Sequence, residues 1–361
     1  MRDAFIITIT LVGLFLLVGY MYNLMSPYFM KLGVLEETGA SASGDGGIFR
    51  SLDSGRSWGQ IGNGAEDIKK SEVFAIQFDE KNLGSLTVAT SKGLFGSDDA
   101  GDSWRPIPNE ALFANEGVTS FALDHKNSQR MYVSSYLPGG RGRILKYKGG
   151  RFYEVYSTSD KEDRVLGVWL DPYDTSTIYA GTQTGLFLLS KDFGESWSVM
   201  RKFDGPIRAA HMLPSDTRIV YAQVGGKVFL TKNQGESWQD ISASARDKFG
   251  GDFKIEQIII DPHNENRVYA ASNKGLMRSY NGGVTFSRIA LLLGEDAQAV
   301  SAVGLDSKID NVIYIASGSQ IHKSEDGGKS WQVKKLDTSR SISVIKVKPN
   351  DSNGIFAGTG K

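Results

Sequence analysis

Two hydrophobic patterns divide the chain, one unbroken and one alternating. Residues 5–25, FIITITLVGLFLLVGYMYNLM, carry no charge over 21 positions. At the helical rise that is long enough to cross the hydrocarbon core of a bilayer. Tyr20, Tyr22, Tyr28 and Phe29 gather toward its far end as an interfacial aromatic belt would, and Pro27 stops the helix there. Arg2, partly offset by Asp3, favours an inside amino terminus and sends the rest of the chain outward. Ala40-Ser41-Ala42 has the form of a cleavage site but lies about fifteen residues beyond the apolar run, too far back for a signal peptide. The expected layout is a cytoplasmic terminus over 1–4, a transmembrane signal-anchor over 5–25, a tether over 26–45 and a folded domain over 46–361. That describes a single-pass membrane protein with its domain on the periplasmic or cell-surface side.

Beyond residue 45 the period falls to two, the signature of strands with one buried face. VFAIQFDE (from Val73), VTSFALDH (Val118), VLGVWLDP (Val165), IEQIIIDP (Ile255) and VSAVGLDS (Val300) alternate and end in Asp. IRAAHMLP (Ile207) and ISVIKVKP (Ile342) are the same element without the Asp. Each is followed by a polar turn, a β-rich run such as TIYAGT or RVYAAS, and commonly a glycine-led strand such as GLFLLS.

Every interval also holds an octet of form S-x-D-x-G-x-S-W. Four are complete, built on Ser51/Asp53/Gly55/Trp58, Ser97/Asp99/Gly101/Trp104, Ser190/Asp192/Gly194/Trp197 and Ser324/Asp326/Gly328/Trp331. Two are close variants, with Asn233, Gly235 and Trp238, and with Asn281, Gly283 and Phe286. The unit from Lys146, KYKGGRFY, keeps only the glycine and the aromatic Tyr153. The aromatic positions recur every 41 to 49 residues, the length of one four-stranded blade, and hold five of the six tryptophans.

The phase of the repeat predicts ring closure. The chain ends in ISVIKVKP and GIFAGTGK, the first two strands of a unit, while GGIFRSLDSGRSW near residue 46 supplies the missing third and fourth. Joined in one blade they make seven and leave no open edge. The expected fold is all-β: a seven-bladed propeller of four-stranded blades sharing one blade between the two chain ends.

The octets resemble the Asp-box (BNR) repeat of bacterial sialidases, sortilin-type receptors, some endo-glucanases and photosystem II assembly factors. The resemblance implies a hairpin turn between third and fourth strands, with the carboxylate bonded to its own turn, the glycine in a conformation costly for other residues, and the aromatic packed between blades. A carboxylate repeated around a whole ring is explained by the fold, whereas catalysis needs one asymmetric place, so these residues are expected to be structural.

Charge and composition then narrow function. The 41 basic and 41 acidic residues cancel, which argues against a nucleic-acid partner. The absence of cysteine excludes thiolate sites and disulfides, and the four histidines lack metal-helix spacing, so no metal or cofactor is expected. Candidate working surface lies on the face opposite the octets, in the stretches 62–72, 106–117, 136–143, 157–164, 242–254 and 291–299. Arg141, Arg143, Arg164, Arg208, Lys254 and Arg340 are candidates there for a basic patch that would bind carboxylates or acidic protein surface. The resemblance to photosystem factors and sortilin-type receptors favours a non-enzymatic scaffold for a protein or peptide, an assembly factor or a subunit of a membrane complex. Sialidases use six blades and glucanases carry two propellers, so a glycoside hydrolase, or a glycan binder using Tyr136 or Phe113, stands second.

Overall fold

The computed structural model describes residues 45–107, 117–291 and 299–360. The expected span over 5–25 and residues 26–44 of the tether lie outside them. Among the described residues no helix is long and apolar enough to cross a membrane.

Seven antiparallel four-stranded sheets form the ring. Counting from the innermost strand, the first blade runs Val73–Asp79, Asn82–Thr90, Gly93–Ser97 and Arg105–Pro106. The next five start at Gly117–Leu123, Val165–Leu170, Ile207–Met212, Ile255–Asp261 and Ala302–Leu305. The seventh is composite, as the repeat phase predicts. Ile342–Val347 and Ile355–Thr359 from one chain end pair with Ile48–Ser51 and Gly59–Ile61 from the other, with Ile48 opposite Gly358 and Ser51 opposite Ile355. Asp45 reinforces the seam by accepting from the Ser339 hydroxyl (2.6 Å), the Ser339 amide (2.8 Å) and the Thr338 hydroxyl (3.0 Å).

Burial follows strand position. Second strands such as Ile178–Thr182, Val220–Val224 and Ile355–Thr359 are buried at every residue, because both faces meet neighbouring blades. That is why they read as continuous apolar runs rather than alternating ones. Hydrophobic clusters lie between successive blades, and the octet aromatics Trp58, Trp104, Trp197, Trp238, Phe286 and Trp331 each join one. A tyrosine on the second strand adds a polar tie. Tyr132 donates to the carbonyl of Phe193 (2.9 Å), Tyr221 to Gly282 (3.1 Å) and Tyr314 to Ser54 (3.3 Å), each in the octet of the following blade. Burial pushes the Tyr179 and Tyr221 phenols up to about 12, so both stay neutral donors.

The unit from Lys146 departs from its expected geometry. Lys148 pairs with Arg151 across a two-residue turn, Gly149-Gly150, whose φ angles of 59° and 83° are both positive. This is the geometry of a type I′ hairpin, which glycine adopts freely. The tight turn lets the strand run on through Tyr153, opposite Lys146, so Tyr153 does not pack as the octet aromatics do and is 51% exposed. Phe152 packs inward instead, against Tyr147 at 4.9 Å between ring centres.

Candidate functional site

Antiparallel order puts the octets and the turns after the innermost strands at one end of the ring. The octets are closed hydrogen-bond circuits. In the first blade the Ser97 hydroxyl donates to Asp99 (2.8 Å) and accepts from the Gly101 amide (2.8 Å). Asp99 accepts further from the amide (2.9 Å) and hydroxyl (2.5 Å) of Ser103, and Trp104 Nε1 donates to the Gly101 carbonyl (3.1 Å). The pairs Ser51/Asp53, Ser190/Asp192 and Ser324/Asp326 repeat the circuit, and Asn233 and Asn281 stand in for Asp with the same acceptor atom. The Ser103 and Ser196 hydroxyls, followed by their amides, hold Asp99 and Asp192 down at about 2. Carboxylates so engaged are poor proton donors at neutral pH. Their work is structural.

The octet glycines take the costly backbone conformation expected of them. Gly55, Gly101, Gly194, Gly235, Gly283 and Gly328 do share positive φ angles of 86° to 93°. They are also contact points with the preceding blade. A Cβ would come 3.2 Å from the Tyr314 ring at Gly55, 3.3 Å from the Tyr132 ring at Gly194 and 2.6 Å from Ile289 at Gly328. The tryptophan bond is not uniform either. Trp58 and Trp197 donate to the carbonyls of Gly55 and Gly194 (both 3.1 Å), whereas Trp331 bypasses Gly328 and donates to the carbonyl of Ala290 (3.1 Å). None of these glycines faces a ligand space; they belong to the frame.

The open space lies in the ring's centre. A cavity of about 950 Å³ enters from the octet end along the innermost strands. Most rim carboxylates there are committed. Asp124 pairs with Arg130 (3.1 Å), Asp261 with Arg267 (2.5 Å) and Asp98 with Arg105 (2.8 Å), while Glu265 accepts from the amide (3.1 Å) and the hydroxyl of Ser215. Glu80 is exposed at the rim with no hydrogen bond among the described residues.

Deeper in, one register position supplies a ring of seven side chains. Gln77, Ala122, Trp169, His211, Ile259, Gly304 and Lys346 sit opposite Thr87, Tyr132, Tyr179, Tyr221, Tyr269, Tyr314 and Phe356 of their neighbouring strands, and all seven line the cavity. The residue before each is apolar in every blade, yet at this position no two blades agree. Trp169 is the sixth tryptophan, outside the octets. Its indole lies so close over Gly167 that a Cβ there would fall 2.1 Å from the ring, a close approach only glycine permits. His211 is enclosed, its Nε2 has no hydrogen-bond partner, and burial, with Lys346 adding repulsion, lowers it to about 4. Lys346 is exposed to the cavity, and desolvation by the protein around it lowers its ammonium from the ordinary lysine value. Among the described residues no cluster of three or more His, Asp or Glu could hold a metal ion.

The six basic residues read from the sequence sit in different local surroundings. Arg143 is buried in its strand and paired with Glu154 at 2.9 Å. Arg164 stacks on Tyr136 at 4.3 Å beside a second cavity that Glu162 also lines, with Arg141 on the adjoining loop. Arg208 is exposed near the start of the fourth innermost strand, and Lys254 packs over Gly226. Arg340 lies against Gly46 at the seam. Of the stretches expected to carry function, 108–116 (with Phe113) and 292–298 fall outside the described residues.

No family model matches this chain. Its sequence relatives are xyloglucanases. The xyloglucanase of Hypocrea jecorina is 30% identical over 153 residues, covering 35% of this chain and 18% of that protein. The chain spans about a fifth of the length of the curated relatives it matches. Among solved structures, the GH74 xyloglucanase of Xanthomonas campestris superposes with a TM-score of 0.67 at 15% identity, over 86% of this chain and 52% of that one. YCF48 bound to D1 peptide gives 0.60 at 13% identity, over 81% and 94%. These likenesses in structure establish the propeller fold.

The relatives overturn one expectation, that of a non-enzymatic scaffold for a protein partner. The octets carry no catalytic chemistry, but that says nothing of the rest of the ring. The stretches of sequence shared with xyloglucanases point instead to the glycosidase reading that stood second.

Proposed function

We propose that this propeller is a glycoside hydrolase ring directed at a β-glucan polysaccharide of the xyloglucan class. The observation that carries the proposal is the 30% identity over 153 residues with a xyloglucanase. The open cavity with an indole in its wall supports it, because sugar rings pack their apolar faces on aromatics. The resemblance of the octets to Asp-box repeats, which some endo-glucanases carry, agrees. Glycoside hydrolysis needs two carboxyl groups, one of them protonated at working pH. Hydrogen bonds hold Asp98, Asp99, Asp192 and Asp326 below the usual carboxylate range, so these four do not fit the acid role. Glu80, and Glu110, Glu116, Glu295 and Asp296 outside the described residues, are the ones to test.

The same proposal keeps the ring outside the cytoplasm, tethered by residues 5–25, where polysaccharide is found; the uncharged 21-residue stretch supports it. Arg141, Arg164, Arg208 and Lys254 are offered as polar contacts for substrate on the face away from the octets. Release of reducing ends from xyloglucan by the purified full chain, lost in one of E80Q, E110Q, E116Q, E295Q or D296N, is the expected result. A folded protein that releases none from xyloglucan or any other β-glucan overturns the hydrolase. The downward-shifted carboxyls favour a second outcome, retention on xyloglucan without cleavage, which would leave a glycan-binding ring.

A further inference from the structure

Five of the six tryptophans commit their indole N–H inside the fold. Trp58, Trp104, Trp197 and Trp238 donate from Nε1 to the glycine carbonyl of their own octet, and Trp331 donates to Ala290, each at 3.1 Å. Trp169 is the exception. It is half-buried in the cavity wall, and its Nε1 meets no acceptor among the described residues yet stays open to solvent. Its six-membered ring folds back along the strand onto Gly167, which pins one side of the indole. The neighbouring blade carries only a methyl, that of Ala122, at the same register. Gln257 adds a second donor from the fifth blade. Its Oε1 accepts from the Val303 amide (2.8 Å), which leaves the Nε2 of this half-buried, cavity-lining side chain without a partner. Gln77, by contrast, is closed: it donates to the Phe121 carbonyl and accepts from the Leu123 amide, both at 3.0 Å.

These groups lie deep. On each innermost strand the cavity lining stops within two residues of the ring, and Trp169 stands three residues before Pro172 at the rim, about 10 Å down the strand. An extended polysaccharide crossing the rim cannot touch an indole at that depth, whereas a chain entering by its end can. We propose that Trp169 is the platform for the terminal sugar of a neutral β-glucan chain inserted end-first from the octet mouth. Its own Nε1 and the Gln257 Nε2 donate to the sugar hydroxyls. A β-linked glucose ring carries hydroxyls around its edge and C–H groups on both faces, so the indole takes a face and the N–H donors take the edge. The inference rests on the polysaccharide reading and narrows it from a chain to a chain end.

The test is calorimetric titration of the full chain with cellotetraose and with xyloglucan before and after partial acid fragmentation, read before cleavage is measurable. Saturable binding of cellotetraose is expected. Xyloglucan should bind more tightly per unit mass once fragmented, because ends multiply while internal sugars do not. W169A should weaken cellotetraose binding about tenfold or more, and W169F, which keeps a stacking face without the N–H, should fall between. Y153A, at an exposed aromatic on an outer strand, should change nothing. No saturable binding of cellotetraose, unchanged affinity in folded W169A, or xyloglucan binding per unit mass that fails to rise on fragmentation overturns the proposal. The wild-type fragmentation series decides the matter even should W169A fail to fold. Release of reducing ends, measured alongside, separates the two readings. Polymer cleaved as fast by folded W169A as by wild type removes the platform and keeps the hydrolase, while end-first binding without cleavage removes the hydrolase and keeps the platform.

Discussion

Two rings of seven run through this molecule, and they differ in what repetition means. The octet ring is nearly uniform in sequence, and each complete unit closes its own hydrogen bonds. The cavity ring is uniform only in backbone register; its side chains differ in every blade, and its two titratable members have no counter-ion. Where a residue recurs with all its bonds satisfied, the fold explains it. Where the backbone recurs and the residue does not, the fold has left the choice open. The comparison therefore locates chemistry by subtraction.

The outer half of the comparison breaks most completely at the seam. Deleting residues 44–61 removes two strands of the composite blade, including the buried Ile48 and Phe49, and exposes Ile355–Thr359 as a bare edge. Cooperative thermal unfolding, followed by circular dichroism, should disappear. An unchanged melting curve would mean that ring closure contributes nothing. Next in size is Trp104→Ala, which empties a buried position between the seventh and first blades and should cost about 3–5 kcal/mol in denaturant titrations. Ser97→Ala removes the hub of one octet, leaves the Gly101 amide unpaired, and should cost about 1–2 kcal/mol.

Acid sharpens the same contrast. Asp99 and Asp192 have folded values near 2, below the ordinary unfolded value of about 3.9. A group depressed on folding stabilises fully above its unfolded pKa and loses that contribution as pH falls through its folded pKa. Stability should therefore decline between about pH 4 and pH 2. D99N and D192N should be nearly neutral at pH 7, because Asn233 and Asn281 already make the same contacts, and should blunt the acid loss. The smallest effect falls on the inner ring. Lys346→Met should leave the melting temperature unchanged, since the exposed Lys346 side chain makes no ion pair or hydrogen bond among the described residues. A large drop would show that Lys346 holds the blades together.

The outer ring was legible in the sequence because its residues carry their reasons locally. Glycine at a fixed offset, a turn carboxylate and an aromatic every 41 to 49 residues leave few other architectures. Even the seam followed from phase alone. What the octets conceal is their reach across the blade boundary: that Gly55 and Gly194 lie under tyrosine rings of the preceding blade is a tertiary fact with no local signal. The Lys146 unit departs at one residue. An aromatic in the expected column implies Tyr153 packing inward, but the Gly-Gly turn is shorter than an octet and places Phe152 there. The inner ring was hidden for a different reason. His211 and Lys346 each interrupt an apolar strand at a single position, and nothing local distinguishes a channel residue from a core one. Aligning the seven innermost strands against one another would have exposed the column. Loop arginines stood out in the sequence instead, and of these Arg143 is buried against Glu154.

The composite blade also sets an order of events. The Thr359 hydroxyl bonds to the carbonyl of Gly47 across 312 residues, so on a ribosome the strand at Ile48 emerges early and waits for its partner until almost the whole ring has been made. Such distant pairing is slow because loop closure must precede the contact. The early segment remains an unpaired edge throughout, which makes it the stretch of this chain most in need of a chaperone while synthesis continues.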